Sequence, residues 1–264
     1  MPRRVALITG PTSGIGEGFA RRYSADGYDV VLVSRDADRL AKLADDLSHD
    51  GVSHEGGRNV EVLPVDLAEA AGRGKVAERL AAGDISVLVN NAGFGTSGEF
   101  WTADPAVLQS QLDVNVTTVM QLTRAALPAM IDAGAGTVVN VASVAGLLSG
   151  RGSTYSASKA WVVSFTEGLA AGLRGTGVGI HVVCPGYVHT EFHHRAGIDM
   201  TSLPSFMWLE VDDVVRESLA DVARGKVVII PGVQYKAITT ASRMVPRTLS
   251  RAATSVFGRG RGRT

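Results

Sequence analysis

Seven short runs rich in Val and Ile recur along the chain, at 5–9, 29–34, 59–65, 85–90, 137–142, 179–184 and 226–230. Helical patterns lie between or after them, at 14–26, 37–48, 67–82, 104–132, 153–174 and 211–223. A continuous apolar run suits a strand buried on both faces, whereas a half-solvated strand alternates apolar and polar residues. Buried strands alternating with helices imply a parallel sheet covered on both sides, so the expected fold is α/β, a single doubly wound domain of seven strands. Ligands of such sheets bind beyond the carboxyl ends of the strands, near the switch in strand order. The residues that follow each strand therefore carry the chemistry.

The 264 residues and 45% hydrophobic content suit one large domain. With 26 basic and 26 acidic residues, no global field favours nucleic acid, and none is expected as a partner. The charges are nevertheless segregated: Lys236 to Thr264 holds seven Lys or Arg and no acid, leaving 26 less 7, or 19, basic residues in the acidic body. The expected organisation is a body over 1–232 followed by a basic extension over 233–264, with an amphipathic helix at 246–257. That helix would dock on an anionic membrane surface or pack on a subunit. Cys184 is the only cysteine, which excludes an internal disulfide and favours a cytoplasmic setting, with membrane-peripheral contact through the tail.

Two halves of a site follow from the loops. After the first strand, Gly10, Thr12, Ser13, Gly14, Ile15 and Gly16 form a glycine-rich turn running into a helix, suited to a pyrophosphate. It lacks the Gly-Lys-Ser/Thr of a P-loop. After the second strand, Ser34 stands where an acid would read a ribose 2′-hydroxyl, and Arg35 follows, suited to a 2′-phosphate. The competing reading is a solvated Arg35 beside an Asp36 that caps the next helix. NADP(H) is thus favoured over NAD(H).

The chemical half centres on Tyr155 and Lys159, which share one helix face at i, i+4, so that the ammonium favours the phenolate and tunes it for proton exchange. Ser143, at the end of the fifth strand, would hold a carbonyl oxygen, and no Gly-x-Ser-x-Gly elbow marks it as a nucleophile. Asp66 closes the third strand, Asn90 the fourth, and Asn115 sits in the next helix; each reads as a site residue or equally as a turn former or ordinary polar residue.

Taken together, Thr9-Gly10-x-x-x-Gly14-Ile15-Gly16, Asp66, Asn90-Asn91-Ala92-Gly93, Asn115, Ser143, Tyr155-x-x-x-Lys159, Pro185-Gly186 and Thr190 resemble the short-chain dehydrogenase/reductase superfamily over about 4–232. The resemblance implies a Rossmann-type fold and hydride exchange between a nicotinamide and a carbonyl or alcohol carbon. It implies that Tyr155 is the acid/base, that Ser143 orients substrate, that Lys159 binds ribose and tunes Tyr155, and that Asn115 holds a relay water. For the cofactor it implies Gly10, Thr12, Ser13, Gly14, Ile15, Gly16, Arg35, Asp66 at the adenine, Asn90 near the ribose, Ala92, Gly93, and Val188 and Thr190 at the carboxamide. NADP-preferring relatives often carry a basic residue where this chain has Ser13, so the preference rests on Arg35 alone.

The segment 187–210 is the substrate loop of that family, and here it carries nine large apolar or aromatic residues, too many for a solvated loop. A lipophilic ketone or alcohol is the expected substrate, of the kind that 3-oxoacyl and hydroxysteroid reductases take, and a homodimer or homotetramer the expected assembly. His189 and His193 are spaced to share a metal, but no third ligand is placed, so no metal is expected. A second function class, a nucleotide-sensing protein without turnover, needs none of Asn115, Ser143, Tyr155 and Lys159, all of which are present.

Overall fold

In the computed structural model, residues 4–49, 59–148, 153–192, 196–197 and 203–244 are described. In chain order the strands are β1 (Val5–Thr9), β2 (Asp29–Ser34), β3 (Val60–Pro64), β4 (Ile85–Asn90), β5 (Gly136–Val141), β6 (Val178–Val183), β7 (Tyr187–Val188), β8 (Trp208–Leu209) and β9 (Val228–Ile229). Seven of them form one parallel sheet in the order β3-β2-β1-β4-β5-β6-β9, and β7 pairs with β8 in a separate two-stranded ladder. The expected seven-stranded Rossmann-type sheet is therefore present, with its switch in order between β1 and β4.

The apolar runs are explained by two cores, one on each face. Along β1, Val5 and Leu7 enter one cluster, with Val76, Leu80, Leu122 and Met130. Ala6 and Ile8 enter the other, with Phe19, Tyr23, Leu40 and Leu43. Successive side chains of a strand point to opposite faces, so no position of β1 meets water and none can be polar without a partner. Each fully buried Leu or Ile contributes roughly 1.5–3 kcal/mol, which makes these central strands the rigid base of whatever stands at their ends.

The helices are α1 (Gly14–Ala25), α2 (Ala37–His49), α3 (Ala70–Ala81), α4 (Pro105–Leu112), α5 (Thr118–Asp132), α6 (Ser153–Gly172), α7 (Val211–Ala223) and α8 (Val233–Met244). Two differ from expectation. The pattern over 104–132 is not one helix: a π-turn at Asp113–Thr117 separates α4 from α5. The Asp113 carbonyl accepts from the Thr118 backbone N–H, the i→i+5 bond of a π-turn, and the Thr118 hydroxyl supports the bulge from the side, 2.9 Å from that carbonyl and 3.2 Å from the Leu67 carbonyl. The second difference is α8, which opens the region read as an extension from 233. Tyr235 and Thr239 are buried, so the packed body continues at least into this helix. The expected helix at 246–257 and the histidines 193 and 194 lie outside the described residues. Among the described residues no helix is long and apolar enough to cross a membrane.

Candidate active site

The cofactor side is built where β1 and β4 end beside each other. Gly10 and Gly14 adopt φ of +65° and +57°, the left-handed region that glycine occupies without strain. Gly16 is required by close approach: a Cβ there would stand 2.2 Å from the Gly10 carbonyl oxygen and 2.3 Å from Nδ2 of Asn91. That Asn91 amide donates to the carbonyls of Thr9 and Gly10, both at 3.0 Å, while the Thr9 hydroxyl accepts from the backbone N–H of Asn91 and Ala92, also at 3.0 Å. Thr9 and Asn91 thus tie the two strand ends together across the switch. Both stand inside the motifs read from the sequence, yet neither was given a role there. The signal was available, since a polar pair at two adjacent strand ends must find partners.

Ser13 is the N-cap residue of α1, with extended backbone and no side-chain capping bond, so the first N–H groups of the helix face the turn. Thr12 and Ile15 lie in the same turn, half-buried. Gly14 packs under Thr190, whose Cγ2 would be 2.7 Å from an added Cβ. At the other end of the slot Arg35 is exposed just beyond β2. Asp36 accepts from the Arg39 N–H at 3.0 Å, so it does cap α2, as the competing reading holds, without engaging Arg35. Arg39 in turn pairs with Glu191 at 3.0 Å. Asp66 accepts from the Ala68 N–H at 2.9 Å in the turn leading to α3.

Asn90 differs from its expected place. Its amide is buried and donates to Thr123 at 3.1 Å and to Asn140 at 2.9 Å, and Asn140 donates onward to Thr166 at 2.9 Å. The side chain therefore belongs to a polar ladder joining β4 and β5 to α5 and α6, and its amide nitrogen is already engaged there.

On the chemical side, β5 delivers Ser143 and α6 delivers Tyr155 and Lys159. Ser143 caps a short 3₁₀ turn, Val144–Gly146, its oxygen accepting from the Ala145 N–H at 3.1 Å. The turn lies so close to α6 that a Cβ on Gly146 would stand 2.6 Å from the Lys159 backbone. Lys159 is 4% exposed, and its ammonium donates to the Val141 carbonyl at 2.9 Å. Its Nζ lies 5.9 Å from the centre of the Tyr155 ring. Burial penalises its charge and pushes its pKa down to about 8.

Asn115 sits in the π-turn, fully buried. It accepts from the Phe94 N–H at 3.1 Å and donates to the Phe94 carbonyl at 3.0 Å and to Ser158 at 3.2 Å. Ser158 donates to the Tyr155 carbonyl at 2.7 Å, so the turn and α6 are held together. Gly93 packs closely over both: a Cβ there would lie 3.0 Å from Asn115 Oδ1 and 3.1 Å from Lys159 Nζ. Phe192 tilts over Tyr155 with ring centres 5.7 Å apart, and Val188 is buried in β7. Among the described residues no group of three or more His, Cys, Asp or Glu is placed to hold a metal ion.

A doubly wound sheet with a glycine turn at its switch point is the arrangement of a dinucleotide-binding class, and here a Tyr-Lys pair stands beyond β5. Residues 4–200 match the family described as short chain dehydrogenase. The ketoacyl reductase HetN of Nostoc sp. is 37% identical over 188 residues, covering 70% of this chain and 63% of that protein, so the match spans less than two thirds of that relative. A short-chain dehydrogenase from Sphingobium yanoikuyae, solved in complex with NADPH, is 35% identical with a TM-score of 0.82, covering 91% of this chain and 93% of that one. A bulky-bulky ketone specific alcohol dehydrogenase from Comamonas testosteroni is 27% identical with a TM-score of 0.78, covering 94% and 96%. The chain belongs to the short-chain dehydrogenase family.

Proposed function

We propose that this chain is an oxidoreductase of alcohols and ketones that favours NADP(H) over NAD(H), with Tyr155 as acid/base and a lipophilic substrate. The observation that carries this reading is the buried Lys159, one helical turn from Tyr155 and packed, like Asn115, against Gly93. The glycine turn suits a dinucleotide: Gly10 and Gly14 take the left-handed φ and Gly16 packs against the Gly10 carbonyl, so the turn is compact. Ser13 leaves the first N–H groups of α1 uncapped by its side chain, and Arg35 stands exposed just beyond β2, where it would meet a 2′-phosphate. When bound, the nicotinamide supplies or accepts the hydride.

The protein's own residues do the rest. With its pKa near 8, Lys159 is charged at neutral pH, and it favours the phenolate of Tyr155, so the phenol gives up its proton to a substrate oxygen more readily than in water. Val141 holds that ammonium in place, Gly93 lies against both Lys159 and Asn115, and Asn115 would hold a relay water. Ser143 orients the carbonyl oxygen, and Val188 and Thr190 border the nicotinamide end. Asp66 and the backbone of Asn90, Ala92 and Gly93 border the adenosine and ribose. Phe192 over Tyr155 makes the entrance apolar, in keeping with the ketone named for the Comamonas relative.

Exposed Trp101, Val107, Leu112 and Met120 are the apolar groups that a homodimer or homotetramer would cover. The basic tail remains our candidate for reversible contact with an anionic membrane. Reduction of a ketone panel with NADPH and with NADH tests the reading: turnover of bulky apolar ketones with NADPH is expected, and binding of NADPH without turnover of any ketone or alcohol would refute it.

A further inference from the structure

Tyr235, in the first turn of α8, is 2% exposed although helix starts are commonly wet. It fills space that Gly186 leaves open, since a Cβ on Gly186 would stand 1.9 Å from Cζ of the tyrosine ring. Its hydroxyl accepts from the Tyr187 N–H at 2.9 Å and donates to the Met207 carbonyl at 2.5 Å. The adjoining Gln234 donates to the Phe206 carbonyl at 3.1 Å. α8 is itself fixed to α7: Glu217 accepts from the Gly232 N–H at 3.2 Å and from Lys236 at 3.0 Å.

Tyr187 opens the substrate segment and Met207 lies near its end. Between these legs the parallel ladder of β7 and β8 has only two residue pairs, Tyr187 with Trp208 and Val188 with Leu209. A ladder that short does not hold itself in water. The outgoing leg then continues to Thr190, against Gly14, and to Phe192, over the Tyr155 ring. We infer that Tyr235 is a positioning residue for substrate recognition: its one hydroxyl clasps both legs of the segment and so sets where Phe192 and the Tyr187–Trp208 pair stand relative to Tyr155. This inference rests on the proposed reductase reading for its kinetic consequence, and on the hydrogen bonds alone for its structural one.

Tyr235→Phe keeps the ring and deletes the clasp. With NADPH, KM for the bulkiest ketone that the wild-type chain reduces should rise about tenfold, and kcat should stay within about twofold, the scale of one or two lost hydrogen bonds. KM for the smallest ketone should change by less than about twofold. Hydrogen exchange at Tyr187 and at 207–209 should accelerate about tenfold, with β1 and β4 unchanged. Should Tyr235→Phe fold poorly, Gln234→Ala removes only the neighbouring bond and should give the same pattern at about twofold. Faster exchange with KM unchanged for bulky and small ketones alike would overturn the positioning role, and wild-type exchange rates at both legs would overturn the clasp. If the wild-type chain reduces no ketone, the reductase reading fails separately, and the exchange rates still decide whether Tyr235 holds the legs.

Discussion

The two sides of the site are built by opposite means. Around the cofactor cradle, backbone approaches backbone: Gly16 against the Gly10 carbonyl, and the ends of β1 and β4 joined through Thr9 and Asn91. Around the substrate, short legs are held by side chains reaching from elsewhere, Tyr235 to Tyr187 across 48 positions and Arg39 to Glu191 across 152. The first arrangement leaves no room for an added atom at Gly16. The second can be retuned by changing a side chain, which suits the half that selects among substrates.

The difference is broken most severely at the cradle. Gly16→Val places a Cβ 2.2 Å from a backbone oxygen that cannot swing aside, and should destabilise the protein by more than about 3 kcal/mol, measured by urea unfolding. On the substrate side Phe206, 68% exposed, should tolerate Phe206→Ala within about 0.5 kcal/mol in the same measurement. Equal losses would mean that the two halves are equally rigid.

A second prediction separates stability from chemistry. Burial lowers Lys159 from 10.5 to about 8, so between those pH values the unfolded chain holds a proton that the folded chain has released. The contribution of this site to stability therefore rises with pH across that window, and below about pH 8 the buried charge is a full cost. Lys159→Met should lower turnover about 100-fold while raising stability at pH 7 by on the order of 1–3 kcal/mol, less the bond to Val141. A variant that loses both turnover and stability would show the lysine to be a structural strut.

A smaller effect sharpens the cofactor side. Arg35→Ala should weaken NADPH by roughly 1–3 kcal/mol and leave NADH nearly unchanged, read by fluorescence titration of each. Equal weakening of both would remove Arg35 from the 2′-phosphate.

Legibility in the sequence follows the same division. The strands of the main sheet were legible because two-sided burial leaves continuous apolar runs such as Val5 to Ile8, and the cradle because its glycines are contiguous. Tyr155 and Lys159 were legible because i, i+4 spacing on a helix is a local fact. Asn90 was not, since its amide answers to Thr123 and Asn140, partners named only by the sheet register. The π-turn at Asn115 is closed by an i→i+5 backbone bond with the Thr118 hydroxyl beside it, which a periodic pattern does not reveal. α8 was missed because the burial of Tyr235 depends on a space at Gly186 that exists only after folding.

The central claim, that Tyr155 exchanges the proton, is tested most directly by Tyr155→Phe, with single-turnover reduction of a bulky ketone measured beside NADPH affinity. The account predicts a loss of about 100-fold or more in rate, with the dissociation constant for NADPH within about threefold of wild type. A variant that reduces the ketone at close to the wild-type rate would contradict it.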